Sequence, residues 1–157
     1  MINSPHKDNA GVIMFPPLLY LLTLAIGIAG SRLYKISLLP EAAALPIGIL
    51  LIAIFFILLF PAARIFTQNK TTVNPGGITT TIVNTGIYRY TRNPMYIAFT
   101  FFYCGVALLT QSWLCFVFLL PLLILVQRGI IEREEAYLTK KFGQEYLTYK
   151  AQVRRWL

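Results

Sequence analysis

The residues of this chain best able to do chemistry fall in two short segments. The first is Asn84-Thr85-Gly86-Ile87-Tyr88-Arg89-Tyr90-Thr91-Arg92-Asn93-Pro94-Met95-Tyr96, where basic and aromatic side chains crowd the start of an apolar stretch. Pro94 suits the first position of a helix, and Asn93 before it suits the N-cap, where its side chain could bond a free backbone N–H. A helix N-terminus carries unsatisfied N–H groups and a partial positive charge, so it can receive a carboxylate or phosphate, with Arg92 as reinforcement. Aromatic rings beside it could hold a planar base or a cation. A plainer use competes: Tyr88, Tyr90 and Tyr96 would serve as interfacial anchors, with Arg89 and Arg92 reaching lipid phosphates.

The second segment is the tail from Arg128 to Leu157. On a helix turning about 100° per residue, Ile131, Leu138 and Phe142 form a narrow apolar stripe, with Glu135 about 40° to one side and Glu134 about 60° to the other. Glu132 and Arg133 point further away. Two adjacent carboxylates therefore border the buried face, and carboxylates beside an apolar seam call for a cationic partner. Arg128 and Lys141 are neighbouring candidates, and a bound cationic ligand is another. Gly143 reads as a helix C-terminal cap, with Lys140 and Lys141 in the last turn, and a second helix is expected from Gln144 to about Val153.

Metal chemistry is not expected. The sole histidine, His6, precedes the first apolar stretch, and Cys104 and Cys115 lie within apolar runs that favour inert packing.

The elements that must position these segments are membrane helices. Of 157 residues 57% are hydrophobic and 13% charged, and the mean hydropathy is +0.64, which leaves too little polar surface for a water-soluble domain. Charge-free stretches run from Asn9 to Ser31, Ala42 to Ala63 and Asn93 to Gln127. The third exceeds the roughly 20 residues of one crossing, and Thr110-Gln111-Ser112 at its middle marks a tight helical hairpin. The fold expected is an all-α polytopic bundle in a single domain, residues 1–157. Its spans would lie at about 12–31, 43–64, 94–110 and 113–128, followed by a C-terminal cytoplasmic helical extension.

A secretory signal is the competing reading of the first stretch. The near-neutral residues before it and the further spans after it favour a retained helix. Pro16-Pro17 should start or kink that helix, and Pro46 and Pro61 sit near the ends of the second span. Between spans two and three, Asn74-Pro75-Gly76-Gly77 signals a turn, and Ile78 to Val83 is a β-prone run that could form a short hairpin or extended strand.

Four spans place 12 of the 14 Lys and Arg on one side, with 2 on the other, so both termini are expected in the cytoplasm. The net charge of +8 is then a topology signal and a basic face toward anionic lipid, and nucleic acid is not needed to explain it.

In these two segments the sequence resembles the isoprenylcysteine carboxyl methyltransferase and phospholipid methyltransferase superfamily of membrane enzymes. The resemblance rests on Gly86 to Tyr96, the hydrophobic hairpin, Glu134-Glu135, Phe142-Gly143-Gln144-Glu145-Tyr146 and Tyr149, roughly the last 75 residues. It implies an S-adenosyl-L-methionine site, within about residues 78–157, open to the cytoplasm and laterally to lipid. Tyr88, Asn93, Pro94, Met95, Tyr96, Glu134 and Glu135 would bind the cofactor, Thr81 to Val83 would close it, and Arg92 and Glu134 are the catalytic candidates. Asn93 replaces a histidine found in many members, Ala98 stands where glycine is usual, and Val153-Arg154-Arg155-Trp156 lacks a proline common there.

The cofactor's sulfonium, ammonium, carboxylate and adenine call for carboxylates, a helix N-terminus or Arg, and aromatic walls, and all are present. The expected activity is methyl transfer to a lipophilic acceptor: an isoprenoid thioether carboxylate, a phospholipid amine or a small hydrophobic molecule. A buried histidine is absent, which favours an acceptor already deprotonated. An NADPH-dependent reductase of the sterol-reductase type and a non-catalytic lipid-binding scaffold are the alternatives.

Overall fold

The computed structural model describes residues 10–34, 36–69, 72, 77 and 79–157. They form six α-helices: α1 (Pro16–Ser31), α2 (Glu41–Gln68), α3 (Pro94–Leu109), α4 (Trp113–Val126), α5 (Glu132–Phe142) and α6 (Gln144–Gln152). A 3-10 turn, Gly86–Arg89, precedes α3, and a π-helical turn, Gln127–Ile131, joins α4 to α5 in one continuous rod. Two helices, Glu41–Gln68 and Trp113–Phe142, are long and apolar enough to cross a membrane, and two shorter ones, Pro16–Ser31 and Pro94–Leu109, are apolar.

Local signals place most helix ends. The helix α1 begins at Pro16 and α3 at Pro94, each with proline in the first turn, where its missing N–H costs nothing. The hairpin between α3 and α4 turns at Thr110-Gln111-Ser112, with Gln111 at φ 51°. Gly143, at φ 54°, separates α5 from α6, and its N–H donates to the Thr139 carbonyl at 2.9 Å. Glycine carries this conformation without a Cβ clash.

Packing follows small residues and rings. The helix α2 lies along α3, where a Cβ on Gly105 would stand 2.9 Å from the Gly48 carbonyl oxygen. The helix α1 crosses α4, where a Cβ on Gly27 would stand 2.6 Å from the Cys115 sulfur. Such close approach gives dispersion contact where the hydrophobic effect between helices is weak. The core gathers Leu19, Tyr20, Leu24, Tyr103, Leu122, Val126, Ile130 and Ile131. Leu45, Leu50, Phe56, Ile57 and Phe60 of α2 instead point outward, and most of the apolar length of that helix is not buried. An outer surface this apolar suits hydrocarbon rather than water.

The second helix runs on past the expected span end near residue 64 to Gln68, with Pro46 and Pro61 both inside it. Pro61 is tolerated where neighbouring helices carry the packing. One expectation needs correction. Residues 79–83 form no strand, since no second strand is present among the described residues to pair with them. Val83 instead packs on Ala62 and Tyr88. Asn74-Pro75-Gly76 and Ile78 lie outside the described residues. The sole ladder-like contact among the described residues is an isolated parallel bridge between Thr91 and Arg154.

Candidate functional site

The loop entering α3 is built around Tyr88. Gly86 takes φ 56° to start the 3-10 turn, which drives the Tyr88 ring, 4% exposed, against Phe66 at 5.4 Å between centroids. The Tyr149 hydroxyl, from α6, donates to the Tyr88 carbonyl at 2.8 Å. Tyr90 and Arg89 project into the open, Tyr90 at 78% exposure, so they take no part in the cleft.

Beyond Tyr88 the chain is clasped by the C-terminal segment. The Arg92 N–H donates to the Arg154 carbonyl at 2.9 Å. The Thr91 hydroxyl and the Asn93 amide both donate to the Arg155 carbonyl, at 3.2 and 2.9 Å. Asn93 does occupy the N-cap position of α3, but its side chain makes no capping bond because its amide is turned to Arg155. Its backbone carbonyl accepts from the N–H groups of Tyr96 and Ile97, at 3.1 and 3.2 Å. The N-terminus of α3 is therefore left without a side-chain cap, which preserves its affinity for an anion.

The adjacent glutamates of α5 receive opposite treatment. Glu135, 5% exposed, meets Arg155 through two hydrogen bonds of 3.0 and 2.9 Å, Arg92 at 3.2 Å and Lys150 at 3.2 Å. Burial raises its carboxyl, but the Arg155 hydrogen bonds, the Arg92 charge and Lys150 outweigh it and hold it below the usual carboxylate range. Glu134 has no cation within ion-pair distance among the described residues. Its partner is the Tyr96 hydroxyl, 3.0 Å from each carboxylate oxygen. It stands in α5, beyond the apolar α4 and the span expected at about 113–128. Burial pushes its carboxyl up to about 7, Glu135 adds to the rise and the Tyr96 hydrogen bond opposes it.

One cleft collects these groups. It is lined by Tyr88, Arg92, Asn93, Pro94, Met95 and Tyr96 from the loop entering α3 and the start of that helix, by Glu134 and Glu135 of α5, by Thr81, Ile82 and Val83, and by Tyr146 and Tyr149 of α6. Among the described residues, three buried polar atoms there have no hydrogen-bond partner: the Tyr88 hydroxyl and Nε and Nη1 of Arg92. Buried donors are rarely left unmade, because each costs about 1–3 kcal/mol, so these are the least satisfied polar groups of the cleft. Arg155 and Lys150 are the residues that sequence reasoning missed. Their one signal was the density of basic residues in the tail.

An apolar helical bundle with a polar, incompletely satisfied cleft at one end is the architecture of a membrane protein. The profile of the phospholipid methyltransferase family matches residues 43–145, and the chain belongs to that family of methyltransferases. An uncharacterized protein of Haemophilus influenzae is 51% identical over 35 residues, which are 22% of this chain and 56% of that one. This chain thus spans about half the length of that relative. No solved structure matches.

Proposed function

We propose that this chain is an integral-membrane methyltransferase that uses S-adenosyl-L-methionine and acts on a lipophilic acceptor. In this reading it crosses the bilayer four times, through α1 to α4, with both termini cytoplasmic. The observation that carries it is the pairing, within one cleft, of Arg92 and Tyr88 donor atoms that have no acceptor among the described residues with a Glu134 carboxylate that has no partner cation among them.

The donor set fits the cofactor. Arg92 and the uncapped start of α3 would take its carboxylate, Glu134 its ammonium or sulfonium charge, and Tyr88 and Tyr96 would wall the site. Bound there, the cofactor supplies an activated methyl group. The chain's own part is to orient and to exclude water: Glu135 holds Arg92, Tyr96 holds Glu134, and the clasp of Asn93 on Arg155 fixes both sides. A lipophilic acceptor is supported by a second, apolar groove of about 720 Å³ among α2, α3, α4 and the C-terminal residues. Leu51, Phe101, Cys104, Leu120 and Ile124 line it, together with Arg128 and Trp156.

Calorimetry of the detergent-purified protein with S-adenosylhomocysteine and with NADPH tests this. Binding of the first, weakened in Glu134→Ala, is the expected outcome. Binding of NADPH alone would assign the cleft to a reductase, and binding of neither would remove both enzyme readings.

A further inference from the structure

The rod from Trp113 to Phe142 is not uniform, and its irregular turn decides which side chain meets the cleft. At Gln127–Ile131 the hydrogen bonding widens to a π turn, with the Glu132 N–H donating to the Gln127 carbonyl five residues back. A π turn adds one residue to the helix, so every later side chain takes the direction its predecessor would have held.

The consequence can be counted from Val126, fully buried in the core. In an uninterrupted helix at about 100° per residue, Arg133 would lie about 20° from Val126, while Glu134 would lie about 80° away and Leu138 about 120°. With one residue added, Glu134 moves to about 20° from Val126, Leu138 to about 20° on the other side, and Arg133 swings to about 120°. The contacts agree: Glu134 reaches Tyr96, Leu138 lines the cleft, and Arg133 is exposed with Nη1 donating 2.8 Å to the Gly11 carbonyl. The same stretch of chain docks on the turn itself, where the Ile13 N–H donates to the Gly129 carbonyl at 3.3 Å. A Cβ at Gly129 would collide with the Ile13 side chain.

We infer that the π turn at Gln127–Ile131, clasped by Gly11–Ile13, is a positioning element that aims Glu134 rather than Arg133 into the ligand cleft. Functional sites are where π turns concentrate, because a one-residue offset re-aims a side chain without unfolding the helix. The inference rests on the proposed role of Glu134, but the register itself can be read without a ligand.

Three chains test it. Deleting Gly129 yields an uninterrupted helix in which Glu134 keeps its direction, so affinity for S-adenosylhomocysteine stays within about threefold of the parent. Inserting one alanine after Gly129 brings Arg133 to the cleft and weakens binding more than about tenfold. Adding Arg133→Glu to the inserted chain returns a carboxylate to that direction and restores binding to within about threefold. A merely structural turn would give no such rescue. Failure of the rescue in a chain with parental helicity overturns the proposal, as does parental binding by the inserted chain.

A bis-maleimide readout separates this from the cofactor reading, using Tyr96→Cys in a background of Cys104→Ser and Cys115→Ala. Cross-linking should go to Glu134→Cys in the parent and to Arg133→Cys in the inserted chain. Linkage to position 134 in both overturns the register, whatever binds. The expected switch, without any S-adenosylhomocysteine binding to the parent, would sink the cofactor assignment alone.

Discussion

The two ends of the α3–α4 hairpin use polar residues for opposite purposes. At the turn, Gln111 accepts from the Leu38 N–H at 2.9 Å and donates to the Leu39 carbonyl at 2.9 Å. Ser31 accepts from the Leu114 N–H at 3.1 Å, and the Trp113 indole donates to the Tyr34 carbonyl at 3.0 Å. These groups find partners within the chain. At the far end the Tyr88 hydroxyl and two Arg92 nitrogens have none among the described residues, and burial pushes the Glu134 carboxyl up to about 7. Satisfied polar groups join elements, and the unsatisfied ones stand where the proposed ligand would bind.

The sharpest way to break the contrast lies in the two adjacent glutamates. Glu135→Ala strips the shared anion from Arg92, Arg155 and Lys150, leaving a buried guanidinium uncompensated, and should destabilise the protein by about 3 kcal/mol. Thermal unfolding in detergent reads this as a large fall in midpoint. Glu134→Gln, one residue away, should leave the midpoint unchanged or raise it, because it removes a part-buried carboxylate that lacks a counter-ion among the described residues. Its cost falls on the ligand: affinity for S-adenosylhomocysteine drops about tenfold, or about 1.4 kcal/mol, by calorimetry. Equal loss of stability in both variants would erase the distinction.

A smaller effect of the same origin should appear with pH. A cationic ligand needs Glu134 as the carboxylate, and that carboxyl titrates near 7, above its ordinary value. Affinity should therefore rise about tenfold between pH 6 and pH 8 and flatten above. The sign for folding is opposite. The folded state holds this proton more tightly than the unfolded one, so the contribution of Glu134 to stability is full below its ordinary pKa and is lost as pH rises through about 7. Calorimetry across that range checks the first statement, and Glu134→Gln should abolish the slope. A pH-independent affinity in the unsubstituted protein would mean that Glu134 does not meet the ligand's charge.

What the sequence revealed and what it hid divide by range. Proline at 16 and 94, the polar break at 110–112 and Gly143 act within a turn of themselves, so the elements they punctuate were legible. The density of tyrosine, arginine and carboxylate likewise pointed to the two segments that line the cleft. The use of Asn93 was hidden, because its amide answers a carbonyl 62 residues away, and so was Arg155, whose guanidinium reaches back 20 residues to Glu135. The π turn was hidden for a related reason. Counting at 100° per residue within α5 placed its own stripe, but an extra residue upstream shifts the whole of α5 against α4, and Gly129 alone does not announce it.

The smallest effect belongs to the satisfied end. Gln111 sits at φ 51°, an uncommon conformation for a residue with a side chain, and its amide is the only thing among the described contacts that ties the Leu38–Leu39 backbone to the hairpin turn. Gln111→Ala keeps the strained backbone and leaves a part-buried N–H and carbonyl to find water. It should cost about 1–2 kcal/mol of stability. Affinity for S-adenosylhomocysteine should stay within about twofold, because the change is absorbed at the far end of a packed hairpin. Gln111→Gly separates the two contributions, since it loses the same hydrogen bonds but relieves the backbone, and it should fall nearer the parent than the alanine variant does. A ligand affinity that tracked stability through this pair would show that the two ends are coupled, and the division of labour between them would have to be abandoned.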